Sequence, residues 1–219
     1  MIRVERVPEP PDFDEKVRRP GSAWLAERRA EGGAAEGRPR DYWTPFRERL
    51  AEGFRNLCAY HAMRENVGTV DHFRSVKKHP QLAYEWSNYR FASGLMNQVK
   101  KDADVLDPHE VGEGWFEISL PSLQLVATDK IPAEHRELAL HTLRRLRLDQ
   151  GEAVIRCRQA WYELHARGRL SLEGLYEVAP LIAAAVEKQN RERGRAAHEA
   201  LRAGGPTLSA DPSPEKPSE

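Results

Sequence analysis

The chain has 219 residues and a formal net charge of zero. That length holds one sizeable domain, or a small one with a helical appendage, and zero net charge excludes a whole-molecule field that recruits nucleic acid, so any such binding needs a local basic patch. High charge content with few aromatics suits solvated helices, the opening residues lack the apolar run of an export signal, no stretch is apolar enough to span a membrane, and Cys58 and Cys157 lie far apart, as reduced thiols of a cytoplasmic protein would.

Residues 1–40 read as a peripheral extension, broken by Pro8, Pro10, Pro11 and Pro20. Within it a short helix is expected over 22–30, with Ser22 as N-cap and Trp24 and Leu25 as anchors. Gly32, Gly33 and Gly37 read as a flexible link. The first strong helix starts at Thr44-Pro45, with Thr44 as cap and Pro45 at the first helical position. Phe46, Leu50, Phe54 and Leu57 share one of its faces.

After this helix, Cys58-Ala59-Tyr60-His61 reads as a tight knuckle. Residues 66–73, turning at Gly68, read as a small hairpin. A loop with Lys77, Lys78 and His79 leads to an aromatic cluster of Tyr84, Trp86, Tyr89 and Phe91, and 97–102 reads as a short helix. Two strands are expected at 114–120 and 124–128, joined at Pro121-Ser122.

From Pro132 onward the pattern turns helical. Ala139, Leu143 and Leu146 share one face. Val154, Cys157, Trp161 and Leu164 share another, with Arg156, Arg158 and Glu163 turned away. Ser171 caps a short helix, and Pro180 starts the next. The proline-rich stretch 204–219 reads as a disordered tail.

Taken one at a time, Asp71, His72, Asn88 and Asn97 are unremarkable: a lone histidine is usually structural, and asparagines favour turns. Their order and flanks say more. The sequence contains Cys58-Ala59-Tyr60-His61, then Asp71-His72-Phe73, then Trp86-Ser87-Asn88, then Ser93-Gly94-Leu95-Met96-Asn97-Gln98-Val99-Lys100. Over residues 57–101 this resembles the HNH nuclease family, whose pattern runs CxxC, Asp-His, Trp-x-Asn and CxxC-Asn-x-x-Lys.

The resemblance implies an α+β, predominantly helical fold: a small ββα-metal core with an N-terminal helix packed on it and a helical region after it. The layout becomes a partly disordered extension at 1–40, the HNH-like core with its following strands at 41–130, a helical region at 131–203 and the tail at 204–219. It implies that Asp71 and Asn97 ligate one Mg²⁺ or Mn²⁺ ion, both of which favour oxygen. His72 would be the general base, a task its unperturbed pKa suits. Asn88 would bind backbone and fix the loop that carries His72.

The family's structural zinc is not expected, because its ligand positions here are Cys58, His61, Ser93 and Met96, and serine and methionine are poor zinc ligands. DNA is the expected partner, with Lys77, Lys78, Arg90, Lys100 and Lys101 as phosphate contacts. Between residues 71 and 101 six basic residues face two acidic ones, the local imbalance that backbone binding requires. The helical C-terminal part is loosely similar to the HNH subunits of Septu-type and retron-linked antiphage systems, which implies antiphage defence and an ATPase partner. The alternative is a catalytically inactive HNH-like protein that binds nucleic acid or assembles with a partner.

Overall fold

The computed structural model describes residues 1–30 and 38–202. It is α+β and mainly helical. The expected glycine link at 31–37 and the tail at 204–219 lie outside the described residues. Two compact units are distinguished, residues 1–185 and residues 186–219. The second is, in its described part, the continuation of one long helix whose residues 191–199 are all exposed. No helix among the described residues is long and apolar enough to cross a membrane.

The extension is not peripheral. A π-helical turn over Asp14–Arg18 leads into α1, Arg19–Ala30. Pro20 stands in the first turn of α1, where a missing N–H is tolerated, and so it does not delay the helix to residue 22. Phe13 and Val17 are fully buried, one helical turn apart. Phe13 packs edge-on against Phe46, Trp86 and Tyr89, with centroids 5.2–5.7 Å away. The Trp86 indole N–H donates to the Val7 carbonyl at 2.8 Å. The segment is thus one wall of the core, held by aromatic packing that sets its place.

A 3₁₀ turn over Thr44–Phe46 opens into α2, Arg47–Gly53. Phe46, Leu50, Phe54 and Leu57 are all buried, as their spacing predicts. The cap is Asp41 rather than Thr44: its carboxylate accepts from the Trp43 and Thr44 N–H groups and from the Thr44 hydroxyl.

Strand β1, Thr69–His72, pairs antiparallel with β2, Tyr89–Ala92, with Asp71 opposite Arg90 and His72 opposite Tyr89. The expected local hairpin at 66–73 does not form; the partner of β1 comes from beyond the 73–88 loop. Helix α3, Gly94–Lys100, follows β2 directly and packs on β1. The order is therefore strand, strand, helix. Ser93 caps α3 by accepting from the Met96 N–H at 3.2 Å.

Strands β3, Phe116–Ser119, and β4, Gln124–Ala127, form a second antiparallel pair close to the expected spans. Helices α4, Ala133–Arg145, α5, Glu152–Ala166, α6, Leu172–Val178, and α7, Pro180–Arg202, complete the chain. On α5 the expected face differs at three points: Cys157 and Leu164 are exposed, and Arg158 is buried. Arg158 turns inward, 1% exposed, and donates through Nη1 to the carbonyls of Leu123 and Leu148. The guanidinium reaches these two carbonyls through Nη1 while its Nη2 is buried without a hydrogen-bond partner among the described residues.

Candidate functional site

The first strand pair, the loop between its strands and α3 bring Asp71, His72 and Asn97 to one cleft of about 530 Å³, also lined by Arg38, Lys77 and Lys101. A second cleft of about 470 Å³ shares His72, Asn97 and Arg38 and adds Asp41, Thr44 and Arg47. His72 and Asn97 thus stand where the two clefts meet.

His72 is fixed on three sides. Its Nε2 lies 2.8 Å from the Ala83 carbonyl oxygen. A carbonyl can only accept, so Nε2 carries the proton and Nδ1 is left as the basic nitrogen. The rings of Trp43 and Tyr89 meet the imidazole edge-on at 4.7 and 5.1 Å. Burial pushes the imidazole pKa below its ordinary value, against the Ala83 carbonyl and the Asp71 carboxylate, which pull it up. The side chain is therefore neutral near neutral pH, as a base must be.

Asn88 does not face the cleft. It is 4% exposed and bonds backbone at three points. Its Oδ1 accepts from the Arg74 N–H at 2.7 Å, and its Nδ2 donates to the carbonyls of Arg74 and Leu82, both at 3.1 Å. The residue after Leu82 is Ala83, the anchor of His72. Tyr89 adds its hydroxyl to the same Ala83 carbonyl at 2.9 Å.

Asp71 is 2% exposed. Its Oδ1 accepts from the Lys100 ammonium at 3.1 Å, and its Oδ2 from the Tyr60 hydroxyl. Burial and the neighbouring carboxylate push the Tyr60 phenol well above its usual pKa, so it stays a donor. Lys100 also donates to the His72 carbonyl at 2.9 Å.

Two of the five cations expected to meet phosphate are interior instead. Lys100 is fully buried on Asp71. Arg90, 2% exposed, grips both oxygens of Asp107 at 2.9 and 2.6 Å. Opposite charges that share a dry site pair with one another and not with a ligand. Lys78 is exposed but pairs with Asp104, which also takes Arg74. Lys77 and Lys101 remain at the cleft. Arg38 and Arg47 line the clefts as well, and sequence patterning did not single them out; nothing in their spacing marks them, because they reach the site only through the packing of the extension and α2.

Lys101 carries a further mark. Its φ is +49° with ψ −124°, a conformation that favours glycine, at the C-terminal end of α3. Strain of this kind gathers at functional positions.

Cys58 and Ser93, two of the positions that the resemblance would give to zinc, meet in the structure. Cys58 accepts from the Ser93 N–H at 3.3 Å and lies 3.9 Å from its hydroxyl, while the His61 imidazole accepts from the Met63 N–H through Nδ1 at 3.1 Å. Burial pushes the Cys58 thiol up, but the charge and hydrogen bonds of His61 and the Ser93 N–H outweigh it and bring the pKa to about 7. Met96 is buried one turn into α3. Hydrogen bonds between the knuckle, the strand end and the helix cap thus join the elements that zinc joins in the resembled family.

Asp71 and Asn97 carry the oxygen donors that a hard divalent ion prefers, and both line one cleft. Asp71 offers a carboxylate with about four lone-pair sites, of which the Lys100 and Tyr60 contacts take two, and Asn97 offers an amide oxygen on the same cleft. Among the described residues no three His, Cys, Asp or Glu side chains gather as a ligand group. Mg²⁺ is commonly held by one or two protein oxygens, with waters and substrate phosphates completing the shell. No protein-family model matches the chain, and no curated protein matches it.

Proposed function

We propose that this chain is a metal-dependent HNH endonuclease that hydrolyses phosphodiester bonds in DNA. The observation that carries the reading is the imidazole of His72, with Nε2 committed to the Ala83 carbonyl and Nδ1 free to act as base where the Asp71 and Asn97 side chains line the same cleft. The strand–strand–helix order around these residues supports a ββα-metal core.

In this reading His72 Nδ1 takes a proton from the attacking water, and Nε2–H keeps the ring oriented. Asn88 and Tyr89 hold the carbonyl that sets that orientation. Asp71 and Asn97 would hold Mg²⁺ or Mn²⁺, which would supply stabilisation of charge on the scissile phosphate and the leaving oxygen. Lys77 and Lys101 hold the flanking backbone.

One observation favours the second reading, a binding protein without turnover: the Lys100 ammonium already neutralises Asp71. A plasmid cleavage assay separates the two. Supercoiled DNA is incubated with the protein and Mg²⁺ or Mn²⁺, beside His72→Ala. Nicked or linear product that disappears in the variant is expected. Cleavage that survives the substitution, or binding with no cleavage under either ion, overturns the nuclease reading.

A further inference from the structure

We infer that Arg38 and Arg47 form a second phosphate-binding arm, supplied from outside the strand–strand–helix unit, for DNA that passes through the His72 centre. The inference deepens the proposed function and rests on its placement of the reacting centre.

Two clefts meet at His72 and Asn97, and each has a size usual for a ligand site, roughly 300–1,000 Å³. A mononucleotide or a free strand end needs one such cleft. Two that share the reacting centre accommodate the chain on both sides of the bond to be cut, which makes an internal phosphodiester the substrate.

The charges divide in the same way. The first cleft holds Lys77 and Lys101, the second holds Arg47, and Arg38 borders both. None of these four forms an ion pair among the described residues, whereas Arg74, Lys78, Arg90 and Lys100 all do. The acidic neighbours keep their charge but are fewer, Asp41 and Asp102 against four cations, since Asp71 is paired with Lys100. Asp41 of the second cleft is spent on capping Thr44 and Trp43, and Asp102 of the first accepts from the Ser75 hydroxyl. Of the six basic residues at 71–101, only Lys77 and Lys101 form no ion pair among the described residues, and both border the first cleft. Arginine suits the task, since its guanidinium presents paired donors to phosphate oxygens.

The test is DNA binding without turnover. A fluorescently labelled duplex is titrated in EDTA by anisotropy, at salt concentrations from about 50 to 200 mM, where the slope of log affinity against log salt is about 0.9 per phosphate contacted. The doubly substituted Arg38→Ala, Arg47→Ala protein should lose about 2 from that slope, with an unchanged melting temperature, because Arg38 is exposed and Arg47 lies at the surface end of α2. Arg169→Ala, which removes an exposed charge that borders neither cleft, should leave the slope as it was. An unchanged slope in the double variant, an equal drop in Arg169→Ala, or a wild-type protein that does not bind DNA overturns the arm. The two ideas fail separately. A slope change without His72-dependent cleavage keeps the arm and removes the nuclease; cleavage with an unchanged slope does the reverse.

Discussion

Replacing Asn88 by alanine tests how the site is held. The substitution deletes one acceptor and two donors and leaves the Arg74 N–H and the carbonyls of Arg74 and Leu82 without them. Each hydrogen bond contributes about 1 kcal/mol net, and a buried polar group left unpaired costs roughly 1–3 kcal/mol. The 73–82 loop is partly exposed, so water can reach some of these groups, and the expected loss is about 2–4 kcal/mol. The functional loss follows from position. The Leu82 carbonyl adjoins the Ala83 carbonyl that orients His72. A displacement of about 1 Å at a reacting group costs on the order of 100-fold in rate. Urea denaturation measures the first effect and single-turnover cleavage the second. Asn88→Asp is a useful partner, since it keeps the acceptor for Arg74 but sets a buried carboxylate against two carbonyls, and it should be no better than alanine. A stability loss under about 0.5 kcal/mol, with an unchanged denaturant slope and a rate within about twofold of wild type, would refute the reasoning.

Two further outcomes are expected. The imidazoles of His72 and His109 are both held below their usual pKa, first by burial. Their neutral forms are the folded ones, so the stability they lend is complete above the unfolded value of about 6.5 and is lost as pH falls through their lower folded values. Denaturation of the metal-free protein should show stability falling below that pH, with a shallower fall in His109→Gln; a stability that rises on acidification contradicts the assignment. Lys101→Gly should separate stability from binding. Releasing the positive φ returns roughly 1–3 kcal/mol, less roughly 0.5–1 kcal/mol of added chain entropy, for a net gain of about 1 kcal/mol. The salt slope for DNA should fall by about 0.9. A less stable protein, or an unaltered slope, argues that Lys101 is neither strained nor at the phosphates.

The residues of the central stretch are legible because their order in the chain is nearly their order in space. Met96 and Asn97 share one helix, capped by Ser93, and Asp71 and His72 share one strand. What local patterning missed depends on distant partners. Gly68 looked like a hairpin turn, but its part is a close approach: a Cβ there would stand 2.3 Å from the Phe91 ring. Phe13 and Val17 had helical spacing, yet only the facing Phe46 and Trp86 make them core. Charge counting failed for a similar reason. The window 71–101 carries a basic excess, but Asp104, shared by Arg74 and Lys78, and Asp107, paired with Arg90, lie just beyond it. A charge count has no information on pairing, and pairing decides which cations remain for a ligand.

The same pairing explains how the site keeps its shape. Each group at the centre is held by a different buried polar residue. Lys100 and Tyr60 orient the Asp71 carboxylate. Asn88 ties down the loop whose Ala83 carbonyl orients His72. Ser93 caps the helix that carries Asn97, and Cys58 receives the Ser93 N–H. A bound structural ion would fix several of these elements at once through short, directional bonds. Here separate hydrogen-bond clusters share that work, set against a buried floor of Phe13, Trp86, Tyr89 and Phe91. Low local dielectric strengthens each fully satisfied cluster and makes each broken one costly. Rigidity at His72 therefore requires that none of the three clusters be left half-satisfied, and in the proposed nuclease reading Asn88, Lys100 and Ser93 act through the groups they hold and not on the phosphate.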